Sequence, residues 1–314
     1  MAILINNDGS GSQEWADHLQ PHLPEHTLYC FEQLDDTDAI VDDIEYALVW
    51  NHPAGELQRY SNLKAILILG AGTEHIDHDA TVPRVPIVRL VDPEMSRDMA
   101  QYALYWVMNS QRHYDTYRQQ QLQQHWQRYP AAAAGDINVL IVGMGEIGTT
   151  IAEIFQLNGF RVSGWNRSTK QIAHIDCRFG VDALRPALRE ADVVVLCLPK
   201  NEHTIGFMNR QRLAEMKSSA TLINIGRGAV IDEQALREAL DNETISRAVL
   251  DVFSEEPLPS DEWYWQHPKV TVTPHMSGAT YPRSAAKVIA ANIRRIERGE
   301  TPFPLHSHPA HLEN

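Results

Sequence analysis

The run NVLIVGMGEIGTTIAEIFQLNG, from Asn138 to Gly159, constrains the fold more than any other part of the chain. Five residues ending at Val142 read as a buried strand, and Ile147, Ile151, Ile154 and Phe155 then recur at helical spacing until Asn158-Gly159 stops the helix. Between strand and helix stands Gly143-Met144-Gly145-Glu146-Ile147-Gly148. The first glycine permits a tight turn, the second lets a pyrophosphate approach the backbone, and the third lets helix and strand pack. Unpaired N–H groups at the helix start favour negative charge. This order is what a dinucleotide requires, and it places Gly143, Met144, Gly145, Glu146 and Ile147 beside the cofactor.

The next strand ends in Trp165-Asn166-Arg167-Ser168. An acid in the Asn166 slot would accept the ribose 2′-OH of NAD(H) and repel a 2′-phosphate. Asn166, Arg167 and Ser168 offer neutral and cationic donors instead, so NADP(H) is expected in preference, with NAD(H) possible. The alternative for Arg167 is stacking on adenine or a place in solvent.

Strand-like runs at Ile3–Ile5, Thr27–Phe31, Tyr46–Trp50, Ala65–Leu69 and Ile87–Leu90 precede residue 100. A second series follows at Asn138–Val142, Arg161–Trp165, Val193–Leu198, Thr221–Ile225, Ala248–Val252 and Val270–Thr273. With helical stretches between them, they predict an α/β protein with two parallel sheets rather than one sheet of all these strands. The length of 314 residues agrees with two domains. Glu94–Gln124 reads as one long helix crossing between them, first apolar (Met95, Met99, Tyr102, Ala103, Trp106, Val107), then rich in Gln, His and Tyr. The polar half is expected to be solvated or a subunit-contact arm. Arg283–Arg298 is a further helix whose return to the first domain would make that domain discontinuous.

Charge narrows the function. Lys and Arg number 27 against 41 Asp and Glu, a formal charge of −14 with no basic block, so neither nucleic acid nor an anionic membrane is an expected partner. Apolar stretches such as Ala65–Leu69 fall far short of the roughly 20 residues that span a bilayer. The start, MAILINNDGSG, lacks the basic and apolar regions of a secretory signal, and Cys30, Cys177 and Cys197 form no CxxC pair. A reducing cytoplasm without disulfides is expected.

Fifteen histidines require sorting. His18, His22 and His26 have helical spacing, but Pro21 and Pro24 interrupt the helix that would align them. His306, His308 and His311 fall in a polar tail and are expected to be solvated; no metal site is expected. His275 follows Val270-Thr271-Val272-Thr273-Pro274, just past the carboxyl end of a strand, where open α/β sheets bind ligands. The small residues Ser277, Gly278 and Ala279 that come after it would let a cofactor approach.

Gly143–Gly148, LINIGRGAVIDEQAL (Leu222–Leu236), LDVFSEEPLP (Leu250–Pro259) and TPHMSGAT (Thr273–Thr280), in that order, resemble the D-isomer-specific 2-hydroxyacid dehydrogenases. ALVW (Ala47–Trp50), LGAG (Leu69–Gly72) and WQHPKVTVTPH (Trp265–His275) are similar to the glyoxylate/hydroxypyruvate reductase A group of that family. Two departures stand out: Asn166 replaces the acid usual in NAD-using members, and Met276-Ser277-Gly278 lacks an alanine common there.

The resemblance implies three catalytic residues: Arg227 to hold the substrate carboxylate and polarise the 2-keto oxygen, His275 to donate the proton, and Glu256 to orient His275. Glu256 is chosen over Glu255 by the pattern of an acid immediately before Pro257. The LGAG loop, through Ala71 and Gly72, would present N–H groups to the carboxylate. Trp50, which ends a strand, would limit substrate size or else be a core residue. Leu198, Pro199, Ile225, Gly226, Arg227, Asp251, His275 and Gly278 would join the cofactor contacts.

The expected architecture is two doubly wound, Rossmann-like domains, the N-terminal one discontinuous and flavodoxin-like. Residues 1–98 plus 284–314 would bind substrate and residues 99–283 the dinucleotide, with the active site in the cleft. The expected activity is NADPH-dependent reduction of glyoxylate or hydroxypyruvate by a cytoplasmic homodimer paired through Met95–Val107. The alternatives are a 3-phosphoglycerate or D-lactate type of dehydrogenase and a dinucleotide-sensing protein of co-repressor type.

Overall fold

Where the sequence is apolar at successive positions, as in Ala2–Ile5 and Val193–Leu196, the computed structural model places strands buried on both faces. The structure describes residues 1–9, 11–34 and 40–312. They form two units, Met1–Met95 with Thr280–Asn314 and Ser96–Ala279.

The first unit starts with β1 (Ala2–Asn7), α1 (Ser12–Leu19), β2 (Thr27–Cys30), β3 (Ile44–Trp50), β4 (Ala65–Ile68), the single turn α2 (Glu74–Asp77) and β5 (Ile87–Val88). The strands are parallel in the order β2-β1-β3-β4-β5, the flavodoxin-like form of the doubly wound sheet. Period-two alternation divides the side chains between two cores. Ile3, Ile5, Tyr46, Leu48 and Leu67 pack with Trp15 and Leu19 of α1, while Leu4, Ala47, Val49, Ile66 and Ile68 pack with Leu57, Tyr60 and Ile76.

The expected long helix is two: α3 (Pro93–Gln111) and α4 (Tyr114–Leu122), separated at His113, whose φ is 57°. The cause is where burial stops. Met99, Ala100, Ala103 and Val107 anchor α3 in the core, and no such stripe continues beyond Val107. Asn109, Gln111 and His113 bond instead to Asp115, the Ala132 carbonyl and the Pro130 carbonyl.

The second unit continues through β6 (Asn138–Val142), α5 (Glu146–Leu157), β7 (Arg161–Asn166), β8 (Asp176–Phe179), α6 (Val181–Glu190) and β9 (Val193–Leu196). It is completed by α7 (Arg210–Leu213), β10 (Thr221–Asn224), α8 (Glu233–Asp241), β11 (Arg247–Leu250) and β12 (Val270–Val272). All seven strands are parallel in the order β12-β11-β10-β9-β6-β7-β8, so the connection reverses direction between β6 and β9. Strand β8 was not anticipated: Asp176-Cys177-Arg178-Phe179 is an edge strand without an apolar run.

The chain then returns to the first unit as α9 (Pro282–Glu297), β13 (Leu305–His306) and α10 (Pro309–Leu312). Ala285, Ala286, Ile289, Ala290 and Ile293 of α9 share a core with Ile3 and Leu48, which makes this unit discontinuous. Strand β13 adds an antiparallel edge to β5. The expectation of a solvated histidine tail is corrected here. His306 Nε2 lies 2.6 Å from Asp77 Oδ1, His308 is buried against the Ile76 carbonyl at 2.8 Å, and His311 reaches the Val82 carbonyl at 3.1 Å. Pairing of β13 with β5 holds the tail where these contacts form. Among the described residues no helix is long and apolar enough to cross a membrane.

Candidate active site

The turn between β6 and α5 can be tested by adding a Cβ to each glycine. On Gly143, with φ 103°, it would lie 2.8 Å from the Cys197 carbonyl oxygen; on Gly148 it would lie 2.0 Å from the Gly143 oxygen. Both positions exclude a side chain. On Gly145 it would meet nothing within 4 Å, so the space above this exposed backbone is open at the start of α5. An open cradle facing a helix N-terminus fits a dinucleotide pyrophosphate. Glu146 is exposed in the first helical turn, Met144 is buried against Gly164, and Ile147 packs on the core.

At the end of β7, the Asn166 side-chain amide donates to the Ser168 carbonyl at 3.2 Å, and Arg167 and Ser168 are exposed. Lys170, absent from the set expected at the cofactor, donates through Nζ to the Met144 carbonyl within the glycine turn. Its only signal in the sequence was a cation four residues beyond Asn166.

Three loops at the carboxyl edge of neighbouring strands converge. A Cβ on Gly226 would lie 2.5 Å from the Leu198 carbonyl oxygen, so Ile225–Arg227 runs against Leu198 and the exposed Pro199. A Cβ on Gly228 would lie 1.9 Å from the Phe253 carbonyl carbon, which seats the Arg227 loop on the Phe253–Glu256 loop. Buried Asn224 shapes the turn, accepting from the Gly226 N–H at 3.1 Å and donating to the Arg227 carbonyl at 3.0 Å. Arg227 is half-buried and donates through Nη1 to the Gly226 carbonyl at 2.7 Å.

Glu256, not Glu255, meets the histidine. Its Oε1 accepts from the Phe253 N–H at 2.8 Å, and its Oε2 lies 2.6 Å from His275 Nδ1. With Nδ1 occupied, Nε2 is the ring nitrogen left to exchange a proton with a ligand. The His275 side chain is half exposed. Asp251 is fully buried, and its carboxylate accepts from the N–H groups of Met276 and Ser277 at 3.0 and 2.8 Å, so it shapes the loop that carries His275 and half-buried Gly278.

In the first unit, Trp50 ends β3 and is half-buried. Its indole lies over Gly70, where a Cβ would come within 2.4 Å of Cζ3, and its centroid is 4.6 Å from the His75 ring. Ala71 and Gly72 follow in the same loop, and among the described residues no backbone acceptor takes the N–H of either. Burial, with a smaller effect from His52, pushes the His75 imidazole down to about 4. Sequence reasoning passed over His75 because nothing local places it beside Trp50.

Residues 104–277, more than half of the chain, match the D-isomer specific 2-hydroxyacid dehydrogenase, NAD binding domain, model. The chain is 35% identical over 308 residues to the glyoxylate/hydroxypyruvate reductase A of Serratia proteamaculans (strain 568), covering 96% of this chain and 97% of that protein. A D-isomer specific 2-hydroxyacid dehydrogenase from Xanthobacter autotrophicus Py2, solved with NADPH and MES, superposes with a TM-score of 0.92 at 36% identity over 98% of each chain. The NADPH-dependent glyoxylate/hydroxypyruvate reductase of Sinorhizobium meliloti, solved with NADP and sulfate, gives a TM-score of 0.90 at 26% identity over 99% of each chain. The chain belongs to the D-isomer specific 2-hydroxyacid dehydrogenase family.

Proposed function

We propose that the protein reduces glyoxylate, hydroxypyruvate and similar small 2-keto acids to the 2-hydroxy acids, using NADPH in preference to NADH. The observation that carries this reading is the 2.6 Å contact of Glu256 with His275, on loops that share one sheet edge with Arg227. When bound, the nicotinamide supplies hydride to the keto carbon. His275 delivers the proton to the keto oxygen from Nε2, while Glu256 fixes the orientation of the ring through its contact with Nδ1. Arg227 holds the carboxylate and stabilises the charge that develops on the oxygen.

On this reading, residues 99–283 bind the dinucleotide and residues 1–98 with 284–314 bind the substrate. Gly143, Met144, Gly145, Glu146 and Ile147 form the pyrophosphate turn; Asn166, Arg167 and Ser168 take the 2′-phosphate. Leu198, Pro199, Ile225, Gly226, Asp251 and Gly278 border the rest of the cofactor. Ala71 and Gly72 donate to the substrate carboxylate, and Trp50 limits what the keto carbon can carry.

The same reading includes a homodimer in the cytoplasm. The apolar residues Met99, Ala103 and Val107 of α3 are consumed by the core, but Tyr105 and Met108 remain exposed. Two-fold pairing is the commonest symmetry of soluble oligomers. Light scattering at micromolar concentration checks the dimer, and a mass near the 35.5 kDa of one chain refutes it.

Following NADPH absorbance with glyoxylate, hydroxypyruvate, pyruvate and phenylpyruvate tests the activity. Oxidation that is fastest with the two small acids is the expected result. Absence of oxidation with every keto acid rejects the assignment.

A further inference from the structure

His275 has a φ of 49°, a backbone conformation that a residue with a side chain holds only when its surroundings impose it. The imposing contacts can be traced. Its N–H donates to the Asp251 carbonyl at 2.9 Å and to the Thr273 carbonyl at 3.1 Å. Beyond it, the Met276 N–H donates to Asp251 Oδ1 and the Ser277 N–H to Oδ2. Before it, the Thr273 hydroxyl donates to Oδ1 at 2.5 Å. One buried carboxylate thus grips the loop on both sides of the histidine.

The Thr273 hydroxyl has a single proton, and the carboxylate takes it. The Tyr102 hydroxyl, 2.6 Å from Thr273 Oγ1, must therefore be the donor in that second contact. Tyr102 lies on α3, whose neighbours Met99 and Ala103 are buried in the core of the second unit, so the relay starts from a rigid element. We propose that Thr273, held between Tyr102 and Asp251, is a positioning residue that keeps the His275 loop in register with Glu256. A strand end needs only a β-branched side chain of this size, which valine would supply; the hydroxyl adds a three-way contact that packing does not require.

The inference rests on the reading of His275 as proton donor, and its test separates the two. In Thr273→Val, kcat for glyoxylate should fall about tenfold, because the acid is misplaced, while the NADPH dissociation constant from fluorescence titration stays within about twofold. Hydrogen exchange at the Met276 and Ser277 amides should accelerate. Thr273→Ser should restore most of the turnover and the protection, and Tyr102→Phe should show a smaller loss in the same direction.

Wild-type turnover with protected amides in Thr273→Val overturns the proposal, as does a loss that serine fails to restore. Should Thr273→Val not fold, Tyr102→Phe decides, and unchanged kcat and exchange there overturn the proposal. A wild-type protein that reduced no keto acid would remove the assigned activity, whereas amide exchange would still decide whether Thr273 holds the loop.

Discussion

The His75 imidazole makes stability depend on acid in a way that can be worked out from the structure. Its Nε2 is buried without a hydrogen-bond partner among the described residues, and burial lowers its pKa from the ordinary 6.5 to about 4. The folded protein therefore holds the neutral ring where the unfolded chain would take a proton. Between those two values the unfolded state binds more protons, so stability is full above 6.5 and drains as pH falls towards 4. The whole interval corresponds to about 3 kcal/mol at most, and His75 is only partly buried, so about 2 kcal/mol is the expected loss, roughly half of it by pH 5.5. His75→Phe keeps a ring against Trp50 and removes the titration. Urea midpoints of the two proteins, followed from neutral pH downward, should diverge below pH 6.5, the variant losing less stability. Other groups titrate in both and largely cancel. Curves that remain parallel down to about pH 4.5 would refute the argument.

His275→Gln should lower turnover by about 10²-fold or more while NADPH binding by fluorescence persists; near wild-type turnover removes the residue from the chemistry. In Asn166→Asp with Arg167→Ile, relative kcat/KM should move from NADPH towards NADH, and an unchanged ratio would place the 2′-phosphate elsewhere, Lys170 being the nearest candidate. Trp50→Ala should weaken glyoxylate reduction yet favour phenylpyruvate. A stability loss of about 3–5 kcal/mol with the substrate ratio unmoved would make Trp50 a core residue only.

Much of the fold is local and therefore readable from the chain alone. The apolar run to Val142, the glycine turn and the periodic helix after it each depend on neighbours a few residues away, so strand, turn and helix stand where their spacing requires. The unbroken apolar runs Tyr46–Trp50 and Val193–Leu196 likewise announce β3 and β9 without any knowledge of what covers them. His275 was singled out for its place after a strand, and Arg227 and Glu256 for the motifs around them. Contacts between distant segments could not be read this way. Local pattern gives no reason for α3 to stop at Gln111, because the helix ends where the core runs out of partners rather than where its propensity fails. The edge strands β8 and β13 are polar and short; they exist because β7 and β5 offer open hydrogen-bonding edges. The docked histidine tail, the stacking of His75 on Trp50 and the relay from Tyr102 through Thr273 to Asp251 join residues between 22 and about 230 positions apart. Which distant groups share a few ångströms is decided by how sheets and helices pack, and that information belongs to the assembled cores, not to any window of the sequence.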